Sequence, residues 1–301
     1  MMKRVLMIIS LLLIVSSLAL AQEAPENYNN YDSLVMFFKI GSDIDVEQTK
    51  GDGKIDSLET TLTFVPYEDY RQEIKSIDFT SFPQAKVTER DDSVTYEWRR
   101  PNGDELTYGI SAEVEGKNNV LMVDKVLKFP LGDLEPELLA YTKPTEFIDL
   151  TPEIEREARK IVGTEKDLYK VLFKIADWNK QNIEYDLSSL TAGAVQKSSW
   201  VLSHKQGVCD ELTNLFISMS RSLGIPARFV SGMVYSNVDY EWGPHGWSEV
   251  YMPGYGWIPF DVTFGQYGWV SPSHLKLKHD KDSGTPSAEY VWQAEGVELE
   301  I

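Results

Sequence analysis

The chain contains a single cysteine, Cys209. A lone thiol is a small buried hydrophobe, an intermolecular link or a nucleophile, and its surroundings favour the third. Leu212, Leu215, Phe216, Met219 and Leu223 recur at spacings of three and four, with Gly224 and Pro226 beyond them. This predicts a helix that begins at Cys209 and ends at Gly224. The first N–H groups of a helix lack partners and its dipole favours an anion there, which biases a thiol toward the thiolate. The neighbouring Asp210 and Glu211 oppose that bias, so the thiol needs a cationic partner. His245 can supply it as an imidazolium and later hand the proton to a leaving amine. It begins a strand whose odd positions, His245, Trp247, Glu249 and Tyr251, share one face. The chain turns at residues 253–256 and returns through Trp257 to Asp261. A turn about Pro253 or Gly254 sets Asp261 against residue 245 or 247. Either register puts it on the face of His245, directly opposite or diagonal at about 7 Å. A carboxylate there fixes the imidazole tautomer and supports its charge. His204, His274 and His279 lie in polar, loop-like contexts and read as surface residues. No CxxC or HExxH spacing occurs, so neither a metal nor another cofactor is expected.

The elements that must position these residues follow from periodicity. Thr151-Pro152 caps a helix carrying Ile154, Ala158 and Ile161, stopped by Gly163. Thr164 with Asp167 opens a second, whose buried face is Leu168, Val171, Leu172 and Ile175. A short third helix over 195–203 precedes the one at Cys209. Strands follow at 227–235, 245–251 and 256–262, with a last one near 290–299. Helices packed on an antiparallel sheet make this half α+β. The region before it, residues 32–130, alternates with period two: Leu58, Thr60 and Leu62, then Val94, Tyr96 and Trp98, then Leu106, Tyr108 and Ile110. Pro101-Asn102-Gly103-Asp104 between the last two runs predicts a hairpin and an all-β, sandwich-like domain. The segment Asp52-Gly53-Lys54-Ile55 with Glu59 resembles the end of a calcium-binding loop. Gln48 and Lys50 stand where its first acidic ligands belong, so a hairpin turn is expected instead. The domain division expected is residues 1–21 as a signal peptide, 32–130 as the β domain, 131–145 as a linker and 146–301 as the catalytic domain. The catalytic half is expected to fold alone.

The chain has 301 residues, 42% hydrophobic and 25% charged, enough for one or two globular domains. Its formal net charge of −18 opposes nucleic acid as a partner. Lys3-Arg4, the apolar run 5–20 and Ala19-Leu20-Ala21 make a secretory signal pattern. The apolar run is shorter than the ~20 residues that span a bilayer. A secreted or extracytoplasmic protein with no stable membrane span after cleavage is expected. The alternative is anchoring by the uncleaved segment.

Three blocks resemble the transglutaminase-like superfamily: KQGVCDELTNLFISMSRSLGIPARFVSG (205–232), HGWSEVY (245–251) and GWIPFDVT (256–263), preceded by WNKQNIEY (178–185). The resemblance covers about residues 145–275. It implies a papain-like core with Cys209 as nucleophile, His245 as base and acid, and Asp261 as orienter. Gly246 stands where the family more often has Ala, a change expected to be tolerated. The reaction implied is acyl transfer on an amide. The Cys209 thiolate forms a thioester through an oxyanion, and water or an amine resolves it. The oxyanion would rest on the Cys209 N–H and a second donor, for which Trp178 and Gln181 are candidates by position. The substrate expected is a protein, peptide or cell-surface polymer. The other reading is a non-catalytic module holding a peptide or glycan; the aromatics expected near the cleft, Tyr240, Trp242, Trp247, Tyr255, Trp257, Tyr267 and Trp269, would serve either reading.

Overall fold

Alternating apolar residues bury one face of the strands at 33–48, 54–62 and 105–117, which belong to two sheets packed over one apolar core. The computed structural model describes residues 31–49, 51, 53–187, 195–236, 240–284 and 286–300. The signal segment 1–21 lies outside the described residues. The first six strands are β1 (Ser33–Gln48), β2 (Lys54–Leu62), β3 (Gln72–Phe82), β4 (Lys86–Arg90), β5 (Ser93–Arg99) and β6 (Glu105–Lys117). Leu58, Tyr96, Trp98, Leu106, Tyr108 and Ile110 are buried between the sheets, the side chains that the period of two marks as inward.

The helical half follows. A short α1 (Pro136–Leu139) leads to α2 (Pro152–Val162) and α3 (Leu168–Asn182). Next come β7 (Glu184–Tyr185), α4 (Ser198–His204), β8 (Gln206–Gly207) and α5 (Cys209–Ser222). Thr151 caps α2 as the sequence predicts, accepting from the Ile154 N–H, whereas α3 opens three residues beyond Thr164, with Asp167 itself as the cap accepting from the Tyr169 N–H. Ile154, Ala158, Leu168, Leu172, Leu215 and Phe216 share one core with Val250, Ile258 and Phe260 of a five-stranded sheet. That sheet contains β9 (Ala227–Tyr235), β10 (Trp242–Met252), β11 (Gly256–Asp261), β12 (Gln266–Tyr267) and β13 (His274–Asp280), in the order β12-β11-β10-β9-β13. Two final strands, β14 (Ala288–Glu295) and β15 (Val297–Glu300), end the chain. Among the described residues no helix is long and apolar enough to cross a membrane.

Three expectations need correction. The strands on either side of residues 101–104 do not form a hairpin. β5 pairs with β2 and β4, whereas β6 pairs with β1 and β3. The turn carries the chain from one sheet to the other. β1 and β2 also lie in different sheets, so no hairpin pairs them; Lys50 and Asp52 lie outside the described residues. The last strands also leave the helical half. β14 pairs with β2 and β15 with β1, so each sandwich sheet takes one strand from the chain's end. The sheet orders are β15-β1-β6-β3 and β14-β2-β5-β4. The period of two marks 290–299 as a strand but carries no information about its partner.

The two halves meet over a shared apolar cluster, Phe38, Ala112 and Val114 against Leu275 and Leu277. Beside it the Gln72 side chain accepts from the Lys276 N–H at 2.8 Å and donates to the Lys276 carbonyl at 2.8 Å.

Candidate active site

Cys209 occupies the first turn of α5, and the turn is held from outside the helix. Glu211 reaches back to accept from the Val208 N–H at 3.1 Å and the Gln196 N–H at 3.0 Å. This is the acidic half of a capping box; the other half is missing because Val208 has no hydroxyl. Buried on its apolar stripe, α5 is pinned to β10 where Thr213 donates to the Gly246 carbonyl at 3.1 Å. Gly246 adjoins His245, so that one bond fixes the helix against the strand carrying the imidazole.

The β10–β11 register pairs Ser248 with Phe260 and Met252 with Gly256, a turn centred on Gly254. Asp261 therefore falls diagonal to His245, one of the two registers anticipated. His245 Nε2 lies 2.7 Å from Asp261 Oδ2, with side-chain exposures of 6% and 1%. Burial would lower the His245 pKa, but the Asp261 carboxylate and the neighbouring Cys209 thiol outweigh it and raise it to about 10. Burial likewise opposes the charge on Asp261, and the His245 cation with the two imidazole hydrogen bonds holds its carboxyl well below the usual range. Nε2 is committed to Asp261, which leaves Nδ1 to face Cys209.

A second imidazole shares the carboxylate. His274 Nε2 donates to Asp261 Oδ2 at 3.0 Å, and the His274 side chain is 1% exposed. His274 is therefore not a surface residue. Its sequence context is polar, but pairing of β13 with β9 and the packing of the sandwich bury it. Burial lowers its pKa against the opposing pull of Asp261. The other two histidines do not join the site. His279 contacts the Tyr67 hydroxyl at 2.9 Å, and His204 stacks on Trp200 at 4.2 Å. The donor atoms of His245, Asp261 and His274 lie within 4.8 Å of one another. Their contacts are N–H···O bonds; a zinc ion among them would need about 2.0–2.2 Å to each ligand and the loss of both N–H protons.

Cys209, Asp210 and His245 line a cavity of about 420 Å³ with Phe64, Leu187 and Phe229. A second hollow of about 550 Å³ opens on the other side of His245, lined by Lys180, Phe264 and Tyr185 among others. Tyr185 borders both. It stands on β7, which pairs in parallel with β8, the strand just ahead of Cys209. Sequence reasoning passed over Tyr185 although it closes the WNKQNIEY block. The oxyanion candidates do not come to the cavity. The Trp178 ring lies under the Lys205 ammonium at 4.3 Å, and Gln181 donates to Asp177 at 2.8 Å on the outer surface of α3. None of the seven aromatics expected in the cleft lines either hollow. Trp247 is 1% exposed and packs beneath Gly232, where an added Cβ would meet its ring at 2.7 Å.

Gly246 has a steric reason. An added Cβ would meet the Phe229 ring at 2.4 Å and Asp210 Oδ1 at 2.5 Å. Asp210 also receives the Cys209 thiol at 3.6 Å. Burial foremost, then the adjacent Glu211, raises the Asp210 carboxyl pKa.

The chain is 26% identical to an uncharacterized protein of Haemophilus influenzae, over 91% of this chain and 81% of that one. It is 33% identical to the uncharacterized protein YebA of Bacillus subtilis, over 27% of this chain but 12% of that much longer protein. In fold it is similar to a Cytophaga hutchinsonii crystal structure described as a candidate cysteine protease. That likeness has a TM-score of 0.62 at 18% identity and covers 89% of this chain and 91% of the other. The family model of the transglutaminase-like superfamily matches residues 155–262, the segment that holds α3, α5, β10, Cys209, His245 and Asp261. Over that core the chain is similar to the transglutaminase-like superfamily.

Proposed function

We propose that the protein is a cysteine enzyme of acyl transfer on amide bonds, with Cys209 as nucleophile, His245 as base and acid, and Asp261 as the group that orients and charges His245. The observation that carries this reading is the buried His245–Asp261 pair at 2.7 Å, whose His245 stands in the cavity wall beside the only cysteine of the chain. An imidazolium next to Cys209 supports the thiolate. The thiolate attacks the amide carbonyl carbon and the C=O electrons move to oxygen. The Cys209 N–H, unpaired at a helix start, is one donor for that oxyanion. The Tyr185 hydroxyl, which replaces Trp178 and Gln181 in this role, is the other. Collapse of the intermediate breaks the C–N bond, and the amine leaves with the proton from His245. The thioester then passes its acyl group to water or to a second amine, which loses its proton to His245.

The substrate class proposed is a protein, a peptide or an amide-bearing cell-surface polymer. The secretory pattern of residues 3–21 supports an extracytoplasmic setting. The test is incubation with a glutamine- and lysine-containing peptide library, with and without added primary amine, followed by mass spectrometry. Expected is either hydrolysis or amine incorporation in the wild type and neither in Cys209→Ala. Binding of peptides with no turnover in the wild type would favour the non-catalytic module instead.

A further inference from the structure

We propose that His274 is a positioning residue for the reaction, the centre of a hydrogen-bonded chain that runs from Arg71 of the sandwich through Ser271 and His274 to Asp261 and His245. The inference rests on the assignment of Cys209, His245 and Asp261 as the reacting group.

One carboxylate oxygen, Asp261 Oδ2, takes both imidazoles, at 2.7 and 3.0 Å. The other, Oδ1, takes the Phe264 N–H at 2.9 Å. Three donors therefore fix the carboxylate plane. Without His274 the anion can rotate about the remaining two, and the His245 ring turns with it. The His274 ring is itself held. Its edge meets the Trp247 ring at 5.3 Å and 89°. Because Nε2 donates to Asp261, a neutral ring presents Nδ1 as an acceptor. The Ser271 hydroxyl sits 2.9 Å from Nδ1, and Ser273 Oγ lies 2.9 Å from that hydroxyl. The titratable and charged groups facing His274 are Asp261, His245 and Arg71.

Ser271 is held in turn from the sandwich. The buried Arg71 guanidinium donates to the Val270 carbonyl at 2.7 Å and the Ser271 carbonyl at 3.1 Å. The Pro272 carbonyl lies against β6, 2.2 Å from where a Cβ on Gly116 would stand, so only glycine lets the segment sit there. Arg71 and Gly116 are both sandwich residues, and both act on the three-residue stretch that presents Ser271 to His274. The β domain thereby contributes to the geometry of the reacting groups.

The test uses the full-length chain and measures Cys209 alkylation by iodoacetamide as a function of pH in wild type, His245→Ala, His274→Ala and His274→Gln. His274→Ala should slow alkylation at neutral pH about tenfold or more, the scale of one hydrogen bond to a charged group. Its pH profile should depart from that of the wild type. His274→Gln keeps an N–H donor for Asp261 and should recover most of the rate. A His274→Ala profile that superimposes on the wild type, or a Gln variant as slow as the Ala variant, overturns the proposal. If His245→Ala is also without effect, the assignment of His245 as partner of Cys209 fails instead. Nitrogen-15 NMR of histidine-labelled wild type gives an answer even where a variant does not fold. His274 should carry its proton on Nε2 at neutral pH; a proton on Nδ1 alone would overturn the proposal.

Discussion

At the scale of single residues the proposed chemistry depends on one carboxylate. Asp261→Asn should leave a folded protein with activity reduced by about 10²–10⁴, because the amide can misdirect the imidazole tautomer and carries no charge. Cys209→Ala should abolish activity, and the contrast between the two in steady-state assays separates orientation from nucleophilic attack. The His245–Asp261 pair also makes a signed contribution to stability. The folded pKa of His245 is raised from 6.5 to about 10, so its contribution is full below 6.5 and is lost as pH climbs toward 10. That of Asp261 is depressed from 3.8, so its contribution is full above 3.8 and is lost on further acidification. The melting-temperature gap between wild type and Asp261→Asn should therefore be widest between about pH 4 and 6.5 and shrink toward pH 10. A gap that grows with alkalinity would contradict the raised His245 pKa. These partners were legible in the sequence because a tight hairpin converts spacing into register. His274 was not, because its burial follows from the pairing of β13 with β9 and from the docking of its strand on Arg71 and Gln72, about two hundred residues upstream. Tyr185 escaped for a local reason: the helix of Trp178 and Gln181 turns those side chains outward, and the cavity is reached only after it ends.

At the scale of elements, α5 and β10 must dock closely enough for Cys209 to meet His245. Gly246→Ala tests that contact. Its Cβ would displace Phe229 or Asp210, at a cost of about 1–3 kcal/mol for overpacking, read by chemical denaturation. Unchanged stability would mean that the Phe229 ring moves freely. Glu211→Ala should cost a similar amount, since two buried backbone N–H groups lose their acceptor. It should also loosen residues 195–197, measurable by hydrogen exchange. The helices themselves were plain from caps and three-four spacing, because Thr151 and Asp167 do locally what their types favour. Strand existence was equally plain. Strand partners were not: the turn at 100–104 has hairpin chemistry but serves as a corner between sheets, and β1 and β2 likewise lie in different sheets.

For the whole molecule, the return of β14 and β15 changes what a fragment can do. A chain beginning near Leu134 keeps the helical core but leaves both final strands without partners and exposes Leu275 and Leu277. It should fail to fold, or fold with a broad, low-temperature melt by circular dichroism, contrary to the expectation of an independent catalytic half. A cooperative melt like that of the full chain would show the sandwich to be dispensable. The Gln72 contact has a further consequence. β13 is the outer strand of its sheet, and an outer strand offers unpaired amides that another chain can copy onto. At Lys276 the Gln72 carboxamide takes up both the N–H and the C=O, imitating a neighbouring strand with one side chain. Replacing it with Ala would reopen that border, so its first symptom should be self-association on storage, seen by light scattering while the monomer is still folded.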